Sequence, residues 1–186
     1  MSSFYSEQEL AELGIASYGK NVLISRKASL YSPEKMNIGD NVRIDDFCVL
    51  SGKITLGNFI HIAAFCALYG GEGGITFDDY STISSRCAVY ALTDDYSGEF
   101  MTNPMIPEKY LGTVQNPVYI GKHCIVGTGS TVLPGVRIEE GCSVGAMSLI
   151  NAGTEAWGIY AGVPARRIKE RSRNLLELCK KFEEER

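Results

Sequence analysis

Residues 120–150 read "IGKHCIVGTGSTVLPGVRIEEGCSVGAMSLI". An aliphatic residue returns at every sixth position: Ile120, Val126, Val132, Ile138, Val144 and Ile150. Four residues after most of these stands a small one, at Cys124, Ser130, Cys142 and Ser148, and glycine follows directly at Gly121, Gly127 and Gly145. A period of six fits neither a helix nor an amphipathic strand. It fits a short strand followed by a corner, three times per turn, each strand sending one large and one small side chain inward. Such turns stack strand on strand and bury a continuous apolar column, as solenoids do.

The same beat runs upstream. Tyr18, Ile24 and Leu30 lie six apart, as do Ile38, Ile44 and Leu50, then Leu56, Ile62 and Leu68, then Phe77, Ile83 and Val89. Cys48, Cys66, Cys87, Cys124 and Cys142 all fall in the small inward slot. Buried, reduced thiols are expected there, which suits the cytoplasm. No CxxC or HExxH spacing occurs and there are 2 histidines, so no metal site is expected. The chain of 186 residues carries a net charge of −4, which argues against nucleic acid as the main partner. No apolar run approaches the roughly 18 residues of a membrane span. "MSSFYSEQELAELG" has no basic start followed by an apolar run, so no secretory leader is expected.

Two ends frame the repeat. Ser6 to Glu9 form a capping-box pattern ahead of Leu10 and Leu13, which predicts a short helical cap within residues 1–17. Leu175, Leu176, Leu178 and Phe182 lie among charges, which predicts an amphipathic helix over 166–186 covering the open end of the coils. Between them lies a β-helical body, 18–165, broken once between Val89 and Ile120 by an inserted loop at 94–117. That loop holds Tyr96, Phe100, Met101, Met105, Ile106 and Tyr110, too apolar for a disordered linker.

The hexads from about 18 to 169 resemble the hexapeptide-repeat acyltransferases. The resemblance implies an all-β solenoid, a left-handed parallel β-helix of triangular section with a short N-terminal helix, one long inserted loop and a C-terminal α-helix. It also implies a homotrimer with sites in the clefts between subunits, one subunit's loop packing on the next. The run Gly162, Val163, Pro164, Ala165, Arg166, Arg167, Ile168, Lys169 matches the end of the coils in sugar and xenobiotic acetyltransferases of this class. There cations can hold the phosphates of acetyl-CoA. The resemblance implies Arg166 and Lys169 as phosphate contacts, and Thr128, Ala146, Asn151 and Ala152 along the pantetheine arm. Relatives often carry Thr-Lys where this chain has Asn151-Ala152, and Arg167 or Arg171 is the expected substitute.

In many relatives the loop opens with the histidine that deprotonates the acceptor. Here that stretch is "LTDDYSG", with Asp94 and Asp95 and no histidine. His123 falls in the column of Asn21, Asn41 and Gly141, a turn position. His61 falls in an outward column beside the glycine-rich "YGGEGG". His61 is the expected base, with Asp94 or Asp95 as rival or partner. Tyr69, Glu72 and Tyr96 are expected to meet the acceptor.

The expected activity is acetyl-CoA-dependent transfer to a sugar by direct attack in a ternary complex, with a backbone N–H from the adjacent coil on the oxyanion. Attack by an amine asks less of a base, which favours N-acetylation of a nucleotide-linked amino sugar in surface polysaccharide synthesis. O-acetylation of a sugar hydroxyl and a non-catalytic β-helix scaffold are the alternatives. No nucleic acid, membrane or metal partner is expected.

Overall fold

The structure, a computed structural model, describes residues 3–186. It is a left-handed β-solenoid of about 7 turns with a helix at each end. Its strands are mostly two or three residues long and pair in parallel with the same position one coil away.

The register stacks anchor on anchor. Ile24, Ile44, Ile62, Ile83, Val126, Val144 and Tyr160 form one column. Ile38, Leu56, Phe77, Ile120 and Ile138 form a second. Leu68, Val89, Val132 and Ile150 continue the third. Nearly all are buried, because slipping the register would turn each aliphatic side chain to solvent. The exceptions are in the first coil, where no earlier coil covers them: Tyr18 is 37% exposed and Leu30 is half-buried.

The five hexad cysteines are buried free thiols. Each donates to a carbonyl farther along the stack, for example Cys66 Sγ to Ser84 O at 3.1 Å and Cys142 Sγ to Glu155 O at 3.0 Å. A small weak donor fits where the corner's carbonyls face inward.

The corners demand left-handed backbone. Asn21, Asn41, Phe59, Tyr80, His123 and Trp157 at one corner, and Phe47, Phe65, Arg86 and Met147 at another, have φ between 53° and 64°. Each such non-glycine residue costs roughly 1–2 kcal/mol. Ring stacking offsets part of it: Phe59 on Tyr80 at 4.8 Å, Tyr80 on His123 at 5.1 Å, Phe47 on Phe65 at 4.9 Å.

Helix α1, Glu7–Glu12, has the full Ser6/Glu9 capping box and buries Leu10 against the first coil. The C-terminal segment differs from the helix expected over 166–186. Arg166–Glu170 is a strand, antiparallel to Gly158–Ala161. The last coil would otherwise present an unpaired row of N–H and C=O groups, and the chain turns back to pair with it. Helix α2, Asn174–Glu184, then runs beside the aromatic corner and not over the open end. Phe182 meets Phe59 edge-on at 5.4 Å, and Arg173 lies over Trp157.

Candidate active site

The interruption leaves the coils through a neck. Leu92–Thr93 pair antiparallel with Val114–Gln115, and Val118–Ile120 then resumes the stack on Ile75–Phe77. Gln115 Oε1 accepts from the N–H of Glu72 at 2.7 Å and of Gly73 at 3.3 Å, which ties the neck to the glycine-rich bulge. Gly71 takes a left-handed backbone here, φ 51°, which strains other residues, and a Cβ would press to 2.8 Å on that same Gln115 oxygen.

Between the arm and the coils lies a groove of about 760 Å3. Its floor is the stacked pair Tyr69 and Tyr90, with ring centres 5.1 Å apart. Burial, with Tyr69 beside it, pushes the Tyr90 phenol up. Leu133 and Thr131 continue the floor, while Asp94 and Tyr96 line it from the arm. The fold thus brings together three of the expected residues, Tyr69, Asp94 and Tyr96.

It does not bring the others there. Asp95 is turned into its own loop. It accepts from Ser97 Oγ at 2.7 Å, from the N–H of Ser97 and Gly98 at 3.1 and 2.9 Å, and from Phe100 N–H at 3.3 Å. The Ser97 hydroxyl first, then the backbone donors, hold this carboxyl below its usual range. Glu72 forms an ion pair with Lys35. His61 is in the outward column, but its Nε2 is 2.8 Å from Asp45 Oδ2, and Arg43 Nε takes Oδ1 at 2.7 Å. Burial raises the Asp45 carboxyl, and the His61 and Arg43 hydrogen bonds outweigh it to leave it lowered. His123 is 8% exposed at φ 61°, and burial together with Lys122 pushes its imidazole down.

A second surface adjoins the groove. Thr128 and Ala146 are exposed in successive coils at the Phe47–Met147 corner. Gly127 between the coils is required, since a Cβ would lie 2.5 Å from Ala146 N. Among the described residues the N–H groups of Thr128 and Ala146 make no hydrogen bond, so both can meet an amide or an oxyanion. The Gly162–Ala165 run lies on the next level, with Gly162 O accepting from Leu149 N and Ala165 N donating to Leu149 O. Asn151 and Ala152 follow at the next corner, exposed.

Arg166 and Lys169 project from the terminal strand, exposed. The expected substitutes are committed elsewhere: Arg167 pairs with Glu155 and Glu170, and Arg171 donates to the carbonyls of His123, Gly141 and Cys142. Thr131, on the groove floor, pairs in register with Leu149. Thr131 follows Thr128 by three residues, so the corner and the groove are neighbours along the same coil.

Two adjoining surfaces of this kind define a two-substrate transferase. Residues 116–152 match the family model "Bacterial transferase hexapeptide (six repeats)". The chain is 45% identical over 179 residues to an Escherichia coli dTDP-4-amino-4,6-dideoxy-D-glucose acyltransferase, covering 95% of this chain and 93% of that one. It superposes on AntD, an N-acyltransferase from Bacillus cereus, with a TM-score of 0.98 at 50% identity over 100% of both chains, in an Asp94→Ala variant with dTDP and coenzyme A. A Ser84→Ala variant of AntD, also at TM-score 0.98, 50% identity and 100% of both chains, holds dTDP-4-amino-4,6-dideoxyglucose and coenzyme A. The chain belongs to the hexapeptide-repeat acyltransferases and is an acyltransferase.

Residue 84 of this chain is also serine, and sequence reasoning did not single it out. It directly follows the anchor Ile83, one coil from Gly127 and one residue before Ser85, which stacks on Thr128; that place is ordinary for the repeat, so spacing carries no signal for it. In the fold Ser84 N donates to Val126 O, and its carbonyl accepts the Cys66 thiol.

Proposed function

We propose that the protein transfers an acetyl group from acetyl-CoA to the amine of a nucleotide-linked amino-deoxy sugar. The observation that carries this is the junction of the Thr128–Ala146 corner with the tyrosine-floored groove. The end-to-end likeness to AntD, solved with dTDP-linked amino sugar and coenzyme A, supports the same pairing. The amine lone pair attacks the thioester carbonyl and the C–S bond breaks. Coenzyme A leaves as the thiolate or thiol, and the ammonium proton passes to a base. Asp94, on the groove wall, is the proposed acceptor of that proton. His61 is a weaker proposal because Asp45 already engages its Nε2. Ser84 joins the proposed site by analogy with AntD. Thr128, Ala146, Asn151 and Ala152 would line the pantetheine arm, and Arg166 and Lys169 would face the phosphates.

The active form is proposed to be a homotrimer in the cytoplasm, serving surface polysaccharide synthesis. The exposed apolar side chains of the arm, Phe100, Met101 and Met105, would meet the neighbouring copy. Among the described residues no helix is long and apolar enough to cross a membrane.

The test is steady-state transfer from acetyl-CoA to dTDP-4-amino-4,6-dideoxyglucose. Asp94→Asn should lower kcat by roughly 10²- to 10⁴-fold, the range for a positioned proton acceptor. His61→Ala should stay within a few fold. The reverse ranking would move the base to His61, and no transfer by the parental protein would remove the acceptor.

A further inference from the structure

This inference rests on the acceptor proposed above. The groove has a single charged lining residue, Asp94, and no cation. A nucleotide-linked sugar brings a diphosphate, and an anion beside an uncompensated carboxylate is unfavourable. The diphosphate therefore has to lie beyond the groove, where a cation can face it.

The arm walls one side of the groove. On the other side the lining runs onto Thr131, which pairs in register with Ala88. Ala88 follows Arg86 by two residues, about 7 Å of extended chain. The groove floor thus leads along the outer face of Ala88–Tyr90 to the corner that Arg86 occupies.

Arg86 differs from every other arginine of the chain. Arg26, Arg43, Arg137, Arg167, Arg173 and Arg186 pair with carboxylates, and Arg166 and Arg171 donate to backbone carbonyls. Among the described residues the Arg86 side chain has no ion pair, hydrogen bond or ring contact. It is exposed and sits at φ 62°, a backbone that disfavours a long side chain. Its corner neighbours in adjacent coils are Phe65 and Gly129, neither an anion. Among the described residues nothing repays an arginine at this position.

We infer that Arg86 is the diphosphate contact of the acceptor site, at the corner end of the groove. A guanidinium can meet two phosphate oxygens at once through charge-assisted hydrogen bonds. Coenzyme A also carries a pyrophosphate, so the chemistry alone admits either substrate. Arg86 shares its corner with Thr128 one coil on, but it belongs to the coil that bears Tyr90 and leads into the arm at Asp94, which favours the acceptor. The exposed cations Arg166 and Lys169 belong to the terminal strand, beside the last coils.

The experiment is calorimetry of the full chain with thymidine diphosphate and, separately, coenzyme A, for the parent, Arg86→Asn and Arg86→Lys. Asparagine tolerates left-handed backbone, so Arg86→Asn should keep the parental melting temperature. It should weaken thymidine diphosphate roughly 10- to 100-fold, as expected for losing hydrogen bonds to a charged group. Arg86→Lys should recover part of that, and coenzyme A should bind all three alike. Loss of coenzyme A affinity with thymidine diphosphate unchanged would assign Arg86 to the donor and overturn the inference. No change in either ligand would overturn it outright. A parental protein that binds coenzyme A but no thymidine diphosphate would remove the proposed acceptor, whatever Arg86→Asn does.

Discussion

Asp94 and Asp95 are chemically identical neighbours with opposite surroundings. Asp94 is exposed on the groove wall, whereas both oxygens of Asp95 are saturated by Ser97, Gly98 and Phe100. A carboxylate that accepts several donors is a poor base and a good clamp. Its lowered pKa fixes the sign of its pH dependence. The ordering it provides is fully present above the ordinary carboxylate value of about 4 and is lost as pH falls through the lowered one. The amide shifts of Ser97 and Gly98, followed by NMR from pH 6 downward, should therefore titrate below about 4. In Asp95→Ala those amides should lose exchange protection at neutral pH, and the acceptor KM should rise more than kcat falls, because the arm wall loosens while Asp94 remains. Parental amides that titrate at or above the ordinary value would contradict the clamp.

Helix α2 and the terminal strand together strap the aromatic corner. The strand covers the edge of the last coil, Arg171 answers three carbonyls, and Phe182 reaches down to Phe59. Few of these contacts are deeply buried, and no residue of α2 is. Phe182→Ala should therefore cost only about 0.5–1.5 kcal/mol, the worth of an aromatic pair. Chemical denaturation should show that loss with the acetyl-CoA KM unchanged. A loss several times larger would mean that α2 supports the core directly, which its exposure does not suggest.

Across the whole molecule, a solenoid with one interruption leaves two unlike surfaces. Its inner coils are self-satisfied, with their strands paired above and below, whereas the arm carries Phe100, Met101 and Met105 exposed on one chain. Isolated surface apolar residues are ordinary, but several on one arm mark a contact. Sedimentation equilibrium at micromolar concentration should give three chains. Met105→Glu, 88% exposed on the single chain, should shift the distribution toward smaller species without lowering the thermal stability of the coils. A parental monomer that is fully active would show that one chain's groove and corner suffice.

The coils were legible because every sixth side chain must be aliphatic to fill a triangular interior, and a period is visible in a single sequence. The cysteine slots, the His123 turn and the capping box followed from the same local rules. The left-handed winding came only through family resemblance, since spacing is blind to handedness. The terminal strand was hidden because its partner, Gly158–Ala161, offers an edge only once the coils have stacked, while Leu175 to Phe182 advertise a helix locally. The meeting of Tyr69 with Tyr90 required coil upon coil, and the separation of Asp94 from Asp95 required the turn through Phe100. Only the stacked coils show that Arg86 has no partner among the described residues. Those features depend on which residues lie side by side one coil apart and on where a long loop folds back, and tertiary packing decides both.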